Sequence, residues 1–307
     1  MKSHKMKVAD CYGRNFYSFP KCIATDYEVI ELSFNRIRTL APSELQKFKY
    51  LKFLYLTDNL ISLLDEETFE GMNSLSTLDL ALNALVKVPK TLFQLPALKS
   101  LYLSQNVNIN IAETAEEVKP ILSPLTLLDI SYISVEEPTD FPDFGSMPLL
   151  ATLNITKNQY KSVKPNHFAG LCNLQVLVTN NVTIEFENDC DCWIINNWLT
   201  ERNVIFLPLG CPVQENRCSN AIVNEEDKNI FVECRKIYEQ IQMSQKIMKI
   251  GIGIGIAVVV IALAGFIYYI WIRRKRRNQQ RINQNDENTV PTDSLVLLNK
   301  QTNNLTK

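Results

Sequence analysis

Eight cysteines carry most of the reactive chemistry of this chain: Cys11, Cys22, Cys172, Cys190, Cys192, Cys211, Cys218 and Cys234. Thiols in this number pair as disulfides or ligate zinc. All eight precede residue 250 and the last 35 residues hold none, an asymmetry that favours disulfides in an oxidising compartment, with zinc as the competing reading. The two histidines, His4 and His167, are joined by no nucleophile motif, phosphate loop or metal-ligand cluster, so neither an enzyme nor a cofactor nor a metal site is expected. Asn154-Ile-Thr156 and Asn181-Val-Thr183 are N-glycosylation sequons, and Asn304-Leu-Thr306 is a third near the end of the chain.

The charges place these groups. Residues 1–249 hold 24 Lys+Arg against 30 Asp+Glu, and residues 273–307 hold 8 against 3. An acidic front with a short basic tail argues against nucleic acid as a partner. Between them, Ile250–Ile272 has 23 residues and no charge. As a helix it would be about 34 Å long, enough for a bilayer core of about 30 Å. Tyr268, Tyr269 and Trp271 lie at one end as an interfacial belt, followed at once by Arg273-Arg-Lys-Arg-Arg277. The positive-inside rule puts this end in the cytoplasm and the first 249 residues outside, as in a single-pass plasma-membrane protein with the bilayer itself as a partner. Met1–Asp10 has no apolar run and is no signal peptide, so the expectation is a true N-terminus upstream, with a reverse signal-anchor as the alternative.

The outer part must then hold the cysteines and sequons in place, and its pattern says how. Asn35, Asn59, Asn83, Asn106 and Asn158 each follow a Leu/Ile-x-Leu/Ile-x-x step. This is the leucine-rich repeat signature, and with asparagine at position 9 the repeats begin at Tyr27, Leu51, Leu75, Leu98, Leu125, Leu150 and Leu174. The predicted fold is an α/β solenoid, a leucine-rich repeat horseshoe with disulfide caps, then one transmembrane helix and a disordered tail. One repeat cannot bury its apolar side alone; stacked neighbours make a continuous core. The asparagine should satisfy backbone groups at the bend, which would otherwise cost about 1–3 kcal/mol each. Leu45, Phe69, Phe93 and Phe168 read as a second apolar spine on the convex side. The fifth repeat carries Ile133 in place of asparagine, and the fourth is extended by an insert in which Ala112–Val118 reads as a short acidic helix. The insert reads as a convex-side bulge or as a loop for a specific partner, and Asn108, Asn110 and Glu113 do not decide between them.

Cys190-Asp-Cys192-Trp193, Trp198-Leu199, Cys211, Cys218 and Cys234 resemble the cysteine-rich C-terminal cap of extracellular leucine-rich repeat proteins. The resemblance implies Cys190–Cys211 and Cys192–Cys234 bridges, with Cys218 able to replace Cys211. Cys11 and Cys22 around Tyr12–Lys21 resemble a reduced N-terminal cystine cap of the same proteins. Cys172, in Gly-Leu-Cys-Asn-Leu, reads as a free core thiol. The expected organisation is an N-terminal cap over 1–26, about seven repeats over 27–187, a C-terminal cap over 188–234, a juxtamembrane linker over 235–249, the membrane helix over 250–272 and a tail over 273–307. The whole looks like an extracellular leucine-rich repeat single-pass protein.

Such a scaffold presents a surface. Positions 3, 5 and 8 should face the concave side and bring Phe34, Phe53, Tyr55, Asp79, Tyr102 and Tyr132 together, aromatics beside acids as protein interfaces favour. The alternative is that these rings merely pack on one another across strands. A glycan on Asn154 would confine binding to the earlier repeats. Gly251 and Gly255 form the small-xxx-small pattern of pairing membrane helices, against ordinary glycine content as the plain reading. Asp293, Leu297 and Leu298 match the acidic dileucine pattern read by clathrin adaptors, against a plain apolar patch, and the tail has no tyrosine. The expected function is a recognition or adhesion receptor, or a co-receptor, for an extracellular or membrane protein. The other class is an auxiliary subunit of a channel or signalling receptor in the same membrane.

Overall fold

The computed structural model describes residues 6–107 and 109–287, with side chains to Arg281. Asn108 and the tail motifs at Asp293, Leu297, Leu298 and Asn304 lie outside the described residues. The chain divides into a unit of residues Met1–Ile241 and a unit of Gln242–Lys307.

Each repeat contributes one three-residue strand: Val29–Glu31, Phe53–Tyr55, Thr77–Asp79, Ser100–Tyr102, Leu127–Asp129, Thr152–Asn154 and Val176–Val178. These are positions 3 to 5 of every repeat the spacing predicts. The central residue of each (Ile30, Leu54, Leu78, Leu101, Leu128, Leu153, Leu177) is buried, and its neighbours point to the other face, as a pleat requires. Val8–Asp10 and Ile205–Phe206 add the two edges of a nine-stranded parallel sheet. The first of these lies in a stretch the sequence reading left without structure; it pairs in register with Val29–Glu31.

Behind the sheet the convex spine forms as expected. Leu45, Phe69, Phe93 and Phe168 sit on the short helical turns Pro42–Leu45, Glu66–Phe69, Lys90–Gln94 and Asn166–Ala169, all fully buried, and Phe144 fills the corresponding place in the fifth repeat. The insert forms a helix, Ile111–Val118, one residue longer than predicted. Ile111, Thr114, Ala115 and Val118 are buried at helical spacing, while the Asn110 side chain caps the N-terminus by accepting from Glu113 N at 3.3 Å. Its outer carboxylates tie to neighbours, Glu117 to Lys90 at 2.9 Å and Glu116 to Lys119 at 2.8 Å, and Lys119 also pairs with Asp143 of the fifth repeat at 2.7 Å.

The asparagines staple adjacent repeats. Asn59 Nδ2 donates to Leu56 O in its own repeat and Leu32 O in the one before, while its Oδ1 accepts from Ile37 N. Asn83 and Asn106 repeat the pattern. The residue before each position 9 lies in the left-handed region, with φ from 52° to 60° in all seven repeats: Phe34, Asp58, Leu82, Gln105, Tyr132, Lys157 and Asn181. That conformation costs about 1–2 kcal/mol for an ordinary residue, and in the five repeats with asparagine at position 9 its bonds on the C-terminal side hold it; the seventh repeat has Val182 there. At Ile133 the staple is missing and an apolar chain fills the space. Asn158 Oδ1 there takes both Ile133 N and Ser134 N.

The caps depart from expectation in their sulfur chemistry. The cystines are Cys172–Cys234, Cys190–Cys218 and Cys192–Cys211. Cys190–Cys218 is the alternative in which Cys218 replaces Cys211; the implied Cys190–Cys211 and Cys192–Cys234 bridges do not form, and Cys172 is no free thiol. The helix Asp191–Glu201 turns Cys192 fully inward, where Leu209–Cys211 returns under it: Asn196 and Leu209 exchange two hydrogen bonds. Cys211 is therefore the partner within reach of Cys192, and Cys190 at the helix start meets Cys218. Arg202 closes the cap without a carboxylate. It donates from Nη1 to Phe168 O at 3.0 Å and from Nη2 to Leu171 O, and lies against Trp198 and Phe231, with burial lowering its pKa to about 10. At the other end Cys11 and Cys22 are free thiols. The loop between them is fastened by Asn35 instead, whose Oδ1 accepts from Arg14 N and Phe16 N, and by Phe19 packed on Phe48.

One helix, Glu225–Glu287, is long and apolar enough to cross a membrane and contains Ile250–Ile272. It starts earlier and ends later than the predicted span. Asn224 Oδ1 accepts Asp227 N at 2.7 Å and three acids fill the first turn, which starts the helix before the expected linker. Beyond Ile272, Arg273–Glu287 contains no glycine or proline to stop it, so helix replaces the first part of the expected disordered tail.

Candidate functional site

The sheet register lines up side chains on its open face. Glu31, Tyr55, Asp79, Tyr102, Asp129, Asn154 and Val178 stand opposite one another, strand by strand. Beside this position-5 row runs the position-3 row, Val29, Phe53, Thr77, Ser100, Leu127, Thr152 and Val176. The position-8 residues follow each strand. Phe53, Tyr55, Asp79 and Tyr102 fall in repeats 2–4 and are half-buried, forming one contiguous patch. Phe34 and Tyr132 are exposed but stand at its ends, each with a local companion: Phe34 packs on Tyr12 at 5.0 Å, and Lys157 Nζ lies 4.9 Å from the Tyr132 ring. The six residues therefore share a face, while only four of them are neighbours.

A role the sequence reading missed belongs to the position-5 acids. Glu31 Oε1 accepts Ser33 N at 2.8 Å, Asp79 Oδ1 accepts Ala81 N at 2.9 Å, Asp129 Oδ1 accepts Ser131 N at 3.0 Å and Asn154 Oδ1 accepts Thr156 N at 3.1 Å. Asp10 does the same for Tyr12 N at 3.2 Å. This side-chain turn at the strand end shapes the bend. Its signal was present: an acid or asparagine, an aliphatic, then Ser, Thr or Ala in four repeats. Burial raises the Asp79 carboxyl above its ordinary range, and Asp129 and Glu31 push it further. Burial, then the neighbouring acids, also raise Tyr55 and Tyr102, so both hydroxyls remain protonated donors at neutral pH.

Of the sequons, Asn181 is exposed, whereas Asn154 is half-buried and Thr156 Oγ1 is buried without a partner. Gly251 and Gly255 have open space where a side chain would stand.

A second cleft, of about 460 Å³, opens on the convex side between the inserted helix and the sixth repeat, lined by Glu113, Glu116, Asp140, Asp143, Lys164 and His167 among others. His167 stacks on Phe141 and its Nδ1 accepts Lys164 N, an arrangement that suits the neutral ring. Burial lowers its pKa to about 4, against partial support for the charged form from Asp143. Below pH 6.5 the unfolded chain binds a proton that the folded chain refuses down to about pH 4. Stability is then complete above this window and falls as pH drops through it, by about 3 kcal/mol from this residue. Denaturation of the parent and of His167→Phe at pH 7 and pH 4.5 should give a smaller acid loss in the variant. Parallel losses would remove His167 from the account.

Comparison with known proteins agrees with the fold. The leucine rich repeat family model matches residues 49–107. Podocan of Mus musculus is 26% identical over 236 residues, 67% of this chain and 38% of podocan. Transforming growth factor beta activator LRRC32 of Mus musculus is 31% identical over 153 residues, 48% of this chain and 22% of that protein. The crystal structure of human 5T4 (Wnt-activated inhibitory factor 1, trophoblast glycoprotein) aligns with a TM-score of 0.44 and 19% identity, over 68% of this chain and 88% of that one. The chain thus spans well under two thirds of the two curated relatives. What the repeats, the cystine-bonded cap and the apolar helix establish together is a leucine-rich repeat solenoid that carries, among the described residues, one helix long and apolar enough to cross a membrane.

Proposed function

We propose that this chain is a single-pass cell-surface recognition protein that binds a protein partner through the open sheet face, with its repeats outside and its basic tail in the cytoplasm. The observation that carries the reading is the patch of Phe53, Tyr55, Asp79 and Tyr102: half-buried aromatic and acidic groups on a parallel sheet with no covering layer among the described residues. Three cystines and two sequons before the uncharged span Ile250–Ile272, and Arg273–Arg277 directly after it, support the outward orientation. A glycan at Asn154 or Asn181 would leave repeats 1–5 as the accessible part of the face.

Proximity labelling on intact cells tests the proposal. The expected result is a partner from an opposing cell or the matrix, lost when Tyr55→Ala is combined with Tyr102→Ala. Glycosidase treatment of the surface protein should reduce its mass; a chain never glycosylated at either sequon would defeat the orientation. The open glycine face at Gly251 and Gly255 favours a second reading, an auxiliary subunit held to a channel or receptor in the same membrane. Recovery only of subunits from the same membrane, unchanged by the tyrosine variants, would select it.

A further inference from the structure

We infer that the open sheet face of repeats 1–5 docks a cationic polypeptide segment, with Glu31, Asp79 and Asp129 receiving arginine or lysine side chains beside the rings of Tyr55 and Tyr102. This rests on the reading that the partner sits on this face.

The register makes the row regular. Acid and tyrosine alternate over five successive strands, so carboxylates recur about every 10 Å along one row. The fold uses an oxygen of each acid, to accept the backbone N–H two residues on. It has no use for the charge. Asn154 performs the same task in the sixth repeat with a neutral amide, and the strands holding Tyr55, Tyr102 and Val178 form with no such acceptor at all. The negative charges are therefore surplus to the architecture, and they repel one another across a face that disfavours them.

Among the described residues nothing neutralises them. Other acids find cations: Glu28 pairs with Lys52, Glu117 with Lys90, Asp143 with Lys119 and Glu187 with Lys164. Among the described residues Glu31, Asp79 and Asp129 join no ion pair. On the three open-face rows the sole basic residue is Lys157, in the sixth repeat, against the Tyr132 ring. Tyr55 and Tyr102 add what a guanidinium or ammonium accepts besides a carboxylate: a π face and a hydroxyl. A cationic segment would relieve the repulsion; an anionic one would increase it.

The substitutions Glu31→Gln, Asp79→Asn and Asp129→Asn remove the charge and keep the accepting oxygen, so the bends survive. The full chain in phosphatidylcholine nanodiscs is titrated with fluorescein-labelled ten-residue peptides of alternating Arg-Ser, Gly-Ser and Glu-Ser. The Arg-Ser peptide should bind, the other two should not, and the triple variant should lose about tenfold or more in affinity. Glu70→Gln with Glu136→Gln and Glu137→Gln makes the same net charge change on exposed residues away from the row and should leave affinity unchanged. Equal losses in the two triple variants, no loss in the first, or equal binding of the Gly-Ser peptide would each overturn the inference. A cellular partner that still depends on Tyr55 and Tyr102 but ignores the triple variant would overturn it while leaving the face itself as the binding surface.

Discussion

A chain with both Cys172 and Cys234 replaced by alanine is expected to lose about 4 kcal/mol of stability, one of the largest effects of any change discussed. The two residues are 62 positions apart, and cross-linking them removes loop-closure entropy from the unfolded chain. Cys190–Cys218 and Cys192–Cys211 lie inside that loop and already shorten it, so the stabilisation is less than an open loop of the same length would give, though the dependence on length is only logarithmic. Both sulfurs are buried, which adds lost packing to the entropic effect. The bridge also fastens the start of the long helix to the end of the sixth repeat, where Cys234 lies against Gly170 O and Gly170 in turn approaches the backbone of Gly145. A side chain at Gly170 would meet Gly145 O at 1.8 Å, so that contact tolerates no substitution. For the detergent-solubilised chain the thermal midpoint should fall by about 8–16 °C. Non-reducing peptide mapping of the parent should recover a Cys172–Cys234 pair. A Cys192–Cys234 peptide, or an unchanged midpoint, would refute the pairing. Alanine at the free Cys11 and Cys22 should cost about 1 kcal/mol or less, because Asn35 and Phe19 hold that loop.

The contrast between the two ends explains which features could be read in advance. The strands were legible because two local constraints agree on them: Leu/Ile alternation, which needs a buried centre such as Leu78 or Leu101, and an asparagine fixed four residues past that centre's neighbour. The inserted helix was legible for the same reason, since Ile111, Thr114, Ala115 and Val118 recur at helical spacing. Cystine pairing is not local. It depends on which returning segment passes beneath the cap helix, and Leu209–Cys211 does so because Asn196 binds it, a residue with no signature of its own. Val8–Asp10 has a strand's geometry only because Val29–Glu31 templates it. The candidate face was legible as a set of rows, from the repeat frame alone. Two uses of one carboxylate, a bend acceptor and an open charge, cannot be separated by residue type; comparing Asp79 and Asp129 with Asn154 at the same position separates them.

Replacing Asn106 by leucine should also cost about 4 kcal/mol, and the reason lies in where the ladder breaks. Asn106 is fully buried; it bridges repeats by donating from Nδ2 to Leu80 O at 2.9 Å and accepting Leu85 N at Oδ1 at 3.1 Å, and within its own repeat Nδ2 donates to Leu103 O at 2.9 Å. Leu80 O keeps a second donor in Asn83, but Leu103 O would ordinarily receive its second bond from position 9 of the next repeat, and that position is Ile133. The variant thus leaves Leu103 O and Leu85 N buried without partners, at about 1–3 kcal/mol each, and replaces a planar amide by a branched chain in a full core. Asn83 is less exposed to this argument, since Asn106 shares the duty at Leu80 O. Asn106→Leu should therefore destabilise more than Asn83→Leu, and Asn73→Leu, at an exposed asparagine, should change little. Thermal midpoints of the three variants rank the positions directly. The interior of a repeat array transmits such damage to its neighbours, so hydrogen exchange should rise in repeats 3 and 4 before the cap at Asp191–Glu201 responds. Equal midpoints for Asn106→Leu and Asn73→Leu would mean that the asparagine ladder marks the repeats without holding them together.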